Sequence, residues 1–233
     1  MQTTQEYAPG RFVDLVGDGD SGVALLWHGR GVDSRTAMRP LTDRVAAGDV
    51  LAVAADWSSE SADGGRTDLL GSLRFARENA ERLGRDPSSV VLVGWSLGGT
   101  AALGVARHAK RLGIALGGVV LVGPGDGSRV IDPISGAALP SAFPPGASRC
   151  DVDLVYGEHD PLATPDLVSG LELRLRAAGW STSLHSVDAD HAGVVGARYD
   201  ERTERYLPST TDASGAAVQT VADIVVAAAT SSS

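Results

Sequence analysis

The chain of 233 residues, 43% hydrophobic and 21% charged, has ordinary globular usage, and its length fits one large α/β unit, residues 1–233, better than two separate halves. A net charge of −9 with no cluster of Lys or Arg argues against a nucleic-acid or anionic-membrane partner, and a solitary lysine, Lys110, removes mechanisms that need a phosphate-cradling or Schiff-base lysine elsewhere. With Cys150 as the only cysteine there is no internal disulfide and no Cys-built metal site, so neither metal nor cofactor is expected. Residues 1–10 lack the basic and apolar regions of a signal peptide, and no run reaches the ~18 apolar residues of a membrane span; a cytoplasmic location is the expectation.

Strand-like runs fall at Arg11 to Val16, Val23 to Trp27, Val50 to Ala55, Val90 to Val93, Val119 to Val122, Val152 to Tyr156 and Thr182 to Ser186. From Val50 onward they alternate mainly with helical segments, which predicts a mostly parallel sheet with helices on both faces. Gly17-Asp18-Gly19-Asp20-Ser21-Gly22 satisfies G-x-G-x-x-G, but a strand follows where a dinucleotide site needs a helix, so it reads as a hairpin turn. One amphipathic helix carries Leu69, Leu73, Ala76, Ala80 and Leu83 on one face and ends before Gly84. Another is opened by Thr164 and Pro165, buries Leu167, Val168, Leu171, Leu175 and Ala178, and stops at Gly179. A last helix runs from Ala216 to Ala229, with Ser231 to Ser233 fraying beyond it. The stretch 123–150, rich in Pro and Gly, is predicted to be a short lid or loop insertion that borders a pocket.

The strand Val90 to Val93 leads into Gly94-Trp95-Ser96-Leu97-Gly98-Gly99, and Thr100 to Leu112 reads as a helix. G-x-S-x-G between a strand and a helix is the setting in which a serine is held on a sharp turn, with glycines that let strand and helix approach. Ser96 is therefore the candidate nucleophile. The Leu97 amide, at the helix N-terminus, is placed to stabilise an oxyanion.

Together with Trp27-His28-Gly29-Arg30-Gly31 upstream, this segment resembles the α/β-hydrolase fold family, closest to its esterase and dienelactone-hydrolase-like members. The resemblance covers nearly the whole chain in element order, although Ser stands where dienelactone hydrolases carry Cys. It implies a triad in the order Ser, acid, His. Asp160, in Gly157-Glu158-His159-Asp160-Pro161 after a strand, matches the acid position, with Glu158 as rival. His191, in Asp188-Ala189-Asp190-His191-Ala192-Gly193 after the last strand, fits the base, with His159 as rival. By the same resemblance, His28-Gly29-Arg30-Gly31 supplies the second oxyanion donor, the backbone N–H of Arg30.

Gly29, Gly31, Trp95 and Phe143 are the candidate pocket residues, with Trp57 a further tryptophan beyond a strand end and packing the more usual fate of both tryptophans. The expected function is hydrolysis of a small-molecule ester through an acyl-enzyme on Ser96, in an open site suited to small substrates. Acyl transfer or thioester cleavage by the same triad, and a non-catalytic binding protein on this fold, are the alternatives.

Overall fold

The structure is a computed structural model that describes residues 2–126, 130–145, 150–209 and 215–231. Its strands are β1 (Gln2–Ala8), β2 (Arg11–Val16), β3 (Gly22–Trp27), β4 (Val50–Ala55), β5 (Val91–Trp95), β6 (Gly118–Val122), β7 (Ile131–Asp132), β8 (Ala137–Ala138), β9 (Asp151–Gly157), β10 (Thr182–Val187), β11 (Ala197–Asp200) and β12 (Arg205–Pro208). Eight of them form one sheet in the order β1-β2-β4-β3-β5-β6-β9-β10, antiparallel at β1–β2 and β2–β4 and parallel from β4 onward. The pairs β7–β8 and β11–β12 are separate antiparallel hairpins.

Strands β3 to β6 bury every residue, which is why they read as unbroken apolar runs: a parallel strand between two helical layers has no solvent face. Helices α2 (Arg66–Arg82), α3 (Leu97–Leu112) and α4 (Pro165–Ala177) bury their apolar sides in one core, against Leu25, Leu92 and Leu154. On the opposite face α1 (Arg39–Ala46) and α5 (Gly215–Ser231) close a second core around Leu26, Val93 and Val155. The Thr164 hydroxyl caps α4 by accepting from the Leu167 amide, with Pro165 in the first turn, as its sequence predicts.

Two expectations need correction. The turn 17–22 does not close a hairpin, because β4 lies between β2 and β3 and the chain crosses over it; the hairpin within the main sheet is β1–β2, turned by Pro9 and Gly10. Strand β1 and helix α1 were not predicted. β1 is mostly exposed and polar and offers no apolar alternation, and α1 buries only Leu41, Thr42 and Val45. Ser232 and Ser233, expected to fray, lie outside the described residues, as do 127–129 and 146–149 of the expected lid.

Residues 123–125 stay at the C-terminal edge of the sheet, and residues 130–145 lie along the flanks of the α2–α3–α4 layer. Asp132 is fully buried against Gly104 of α3 and accepts hydrogen bonds from the Ile134 amide at 2.8 Å and the Ser135 hydroxyl at 2.7 Å, with the Arg107 guanidinium 3.8 Å away. Burial pushes its carboxyl above the usual range, against the pull of those partners. Phe143 sits between the guanidinium groups of Arg107 and Arg174, 5.4 and 5.6 Å from its ring centre, and faces Trp180.

A methyl group on Gly104 would strike Asp132 Oδ1, which its two hydrogen bonds hold in place. Helix propensity alone would make Gly104→Ala stabilising by about 1 kcal/mol. We expect the opposite sign, a loss of about 1–3 kcal/mol through overpacking, read as a lower urea midpoint. A midpoint at or above the parent's would contradict the docking of Asp132 on α3.

Candidate active site

The parallel strands β3, β5, β9 and β10 all deliver their C-terminal ends to one edge of the sheet, and the chain reverses its direction of travel across the sheet between β3 and β5. Ligand crevices in open α/β sheets form at such a reversal. Ser96 stands there, between β5 and α3, with φ 55° and ψ −120°, a conformation that a non-glycine residue holds only when its surroundings enforce it. The surroundings are visible. The Ser96 amide donates to the Val122 carbonyl of β6 at 2.9 Å, and a side chain on Gly98 would strike the carbonyls of Trp27 and His28, so the first turn of α3 packs directly on the backbone leaving β3.

Asp160 and His191 come from two loops that hydrogen bonds hold together. The Glu158 amide donates to the Val187 carbonyl at 2.9 Å and the His159 amide to the Ala189 carbonyl at 3.1 Å, so the chain beyond β9 follows the chain beyond β10. Asp190 closes the histidine turn by accepting from the amides of Ala192 and Gly193. Across this junction His191 Nδ1 meets Asp160 Oδ2 at 2.7 Å, with both residues buried. The other carboxylate oxygen of Asp160 accepts from the amides of Leu162 and Ala163, both at 2.8 Å. Burial alone would raise the Asp160 carboxyl; the hydrogen bond and charge of His191 and the two amides outweigh it and hold the group below the usual carboxylate range. A carboxylate on Nδ1 leaves Nε2 of a neutral ring as the basic nitrogen.

Gly123, the residue after the carbonyl that anchors Ser96, packs against the carboxylate–imidazole pair: its Cβ position would lie 3.2 Å from Asp160 Oδ2 and 3.4 Å from His191 Nδ1. Trp95 adds a second tie, donating from Nε1 to the His191 carbonyl at 2.8 Å with its ring 5.5 Å from the imidazole. No hydrogen bond joins Ser96 Oγ to His191 among the described residues. Such a bond is commonly long before substrate is present and tightens in the complex.

The loop beyond β3 presses on Ser96: a Cβ on Gly29 would lie 3.1 Å from Ser96 Cβ and 3.6 Å from its Oγ. Neither the Arg30 amide nor the Leu97 amide donates to a protein acceptor among the described residues, although both belong to segments in contact with Ser96. His28 organises this loop. It is fully buried, stacks on Trp57 at 5.3 Å, and its Nε2 accepts from the amides of Ser34 at 3.2 Å and Trp57 at 3.3 Å. Accepting at Nε2 leaves the proton on Nδ1, which donates to the Gly29 carbonyl at 2.8 Å. That carbonyl shares a peptide plane with the Arg30 N–H, so the imidazole fixes the direction in which that N–H points.

Of the remaining candidates, Trp95 is buried and supports the His191 backbone instead of lining a pocket, and Trp57 donates from Nε1 to the His28 carbonyl. Gly31 exchanges hydrogen bonds with Ser59 beside the loop. The structure does not bring Phe143 to the site: it packs on Arg107, which at 1.5 Å per residue lies roughly 16 Å along α3 from Ser96. The rival acid Glu158 is exposed, and the rival base His159 is exposed and bonded to Asp188 at 3.0 Å. The role of His28 was missed, since in sequence it shows only as part of the upstream turn. Among the described residues no group of three or more His, Cys, Asp or Glu could hold a metal ion, and no helix is long and apolar enough to cross a membrane.

Burial pushes the His28 imidazole down to about 4, against an ordinary value of 6.5. Between those values the unfolded chain takes up a proton that the folded one refuses, so stability falls as pH drops from about 6.5 toward about 4. We expect this residue to contribute about 2 kcal/mol of that loss between pH 7 and pH 4.5, read from urea unfolding at the two values, with a shallower pH slope in His28→Asn. Parallel slopes for parent and variant would exclude a buried neutral imidazole.

No protein-family model and no curated protein matches the chain. Solved structures do. A bacterial heroin esterase is 18% identical with a TM-score of 0.70, covering 98% of this chain and 84% of its own. An arylesterase is 14% identical with a TM-score of 0.71, covering 98% and 82%. The Francisella virulence factor BioJ is 12% identical with a TM-score of 0.73, covering 97% and 84%. With its sheet order, its strained serine between β5 and α3 and these likenesses over almost its full length, the chain has the α/β-hydrolase fold.

Proposed function

We propose that the chain is a serine hydrolase that cleaves small carboxylic esters through an acyl-enzyme on Ser96. The observation that carries this reading is the buried Asp160–His191 pair at 2.7 Å, set around Gly123 beside a serine held at positive φ on a helix N-terminus. A paired carboxylate and imidazole near a partly accessible hydroxyl is the minimum that makes a serine nucleophilic. Similarity to proteins named as esterases points the same way.

In the proposed reaction His191 Nε2 takes the Ser96 proton as Oγ attacks the ester carbonyl. The carbonyl π electrons move to oxygen, and the oxyanion accepts hydrogen bonds from the Arg30 and Leu97 amides. Collapse of the tetrahedral intermediate breaks the ester C–O bond, and the alkoxide leaves with the proton from His191. Water then attacks the acyl-enzyme with His191 again as base, releasing the acid and restoring Ser96. Asp160 stays ionised and steadies the imidazolium in both halves. Residues 130–145 pack on the flank of the helical layer and contain no helix, which supports short acyl chains over long lipids.

Ser96→Ala is expected to abolish labelling by a fluorophosphonate and to lower kcat on p-nitrophenyl acetate by at least about 1,000-fold. A variant as active as the parent would end the hydrolase reading. Asp160→Asn should reduce kcat by roughly 10,000-fold, whereas Glu158→Gln stays within about twofold; the reverse pattern would move the acid to Glu158. Across p-nitrophenyl esters, kcat/KM should peak at short acyl chains and fall as the chain lengthens, and a maximum at long chains would overturn the small-substrate assignment.

A further inference from the structure

The hairpin β11–β12 belongs to neither the main sheet nor the helical layers, and it starts directly after the short turn Gly193–Val195 that follows His191. Its base is closed by the Ser209 amide on the Gly196 carbonyl at 2.8 Å. Two neighbouring residues of β12 reach back to the site. Arg205 donates from one guanidinium nitrogen to the carbonyls of Val32 and Asp33, both at 2.9 Å, just beyond the Arg30 amide on the loop leaving β3. Tyr206 places its ring edge-on to Trp95 at 4.8 Å, and Trp95 holds the His191 carbonyl. Tyr199, its partner across the hairpin, backs the Tyr206 ring at 5.2 Å.

We propose that β11–β12 is a clasp over the acyl-transfer site, with Arg205 positioning the oxyanion loop and Tyr206 positioning the Trp95–His191 contact. The inference rests on the serine-hydrolase reading and extends it to two residues that do not touch substrate. The three parts coupled here come from three strands, β3, β5 and β10, and the hairpin adds a tie between the loops beyond them to those already made by Gly98 and Trp95. A hairpin continuous with the histidine loop and bonded to the oxyanion loop couples two of those parts, while its tyrosine rests on the third. Catalysis is sensitive to this kind of coupling because a displacement of about 1 Å in a donor or base lowers rate by as much as 100-fold.

The Arg205 side chain is on the surface, so its removal should leave the fold intact, and kinetics should report on position. Arg205→Ala is expected to lower kcat on p-nitrophenyl acetate about tenfold with KM within about twofold, and to weaken binding of a boronic acid that mimics the tetrahedral intermediate by a similar factor. Arg205→Lys, which keeps a donor, should recover much of the loss. Tyr206→Phe should match the parent, because among the described residues the hydroxyl has no hydrogen-bond partner, whereas Tyr206→Ala should slow fluorophosphonate labelling about tenfold. Unfolding temperatures are recorded for each variant, and rates are taken per folded enzyme. If Arg205→Ala keeps both kcat and boronate affinity within twofold of an active parent, or if Tyr206→Ala labels at the parental rate, the clasp is wrong while the hydrolase reading stands. A parent that neither turns over ester nor labels at Ser96 overturns both.

Discussion

The close approach of β5, α3 and the backbone leaving β3 is the constraint on which the rest of the site depends. Gly98 sits against the carbonyls of Trp27 and His28, and Gly94 against the backbone of Gly98 and Gly99. Any side chain at either position would push the helix outward and let Ser96 relax toward ordinary φ. Holding a serine at φ 55° costs about 1–3 kcal/mol, and packing on both sides of the sheet supplies the opposing force. The consequence is functional: Ser96 is half-exposed at the end of a strand whose other residues are buried, with the Leu97 amide at the open N-terminus of α3.

Two histidines near this point show how environment assigns roles to one residue type. His28 is enclosed by apolar surface and by two amides that donate to it, so its charged form is excluded and it serves as a fixed hydrogen-bonding bracket. His191 instead pairs its Nδ1 with the Asp160 carboxylate, which is held below the usual carboxylate range at the same edge of the sheet. One imidazole therefore aligns a peptide, and the other pairs with a carboxylate.

The sequence was legible where local chemistry decides structure. The β-branched runs of β3 to β6, the Thr164-Pro165 start of α4 and the glycines around Ser96 each state their conformation in residue type and spacing. What was illegible depends on tertiary pairing. Whether the turn 17–22 closes a hairpin is settled by where β4 inserts, and nothing within those six residues encodes that. Phe143 has the composition of a pocket residue, yet two arginines on different helices claim it. Asp160 is preferred over Glu158 by resemblance and because the residue directly after a strand-ending glycine tends to face solvent; the fold adds that two residues beyond Glu158 the Asp160 carboxylate meets His191 and collects the Leu162 and Ala163 amides.

The segment between β6 and β9 illustrates how charge can do the work of apolar packing at a fold's periphery. Asp132 is buried and the Arg107 guanidinium lies 3.8 Å away, so among the described residues its burial is supported chiefly by the Ile134 amide and Ser135 hydroxyl. A carboxylate in such a place stabilises little relative to an apolar residue, but it tolerates only one arrangement of its partners. With Arg107 and Arg174 on either side of Phe143, and Arg174 also bonded to the Pro140 carbonyl and Asp126, the segment is tied to α3 and α4 at several independent points. At the head of this connection Gly123 donates its amide to the Val155 carbonyl, follows the Val122 carbonyl that accepts from Ser96, and packs against Asp160 and His191.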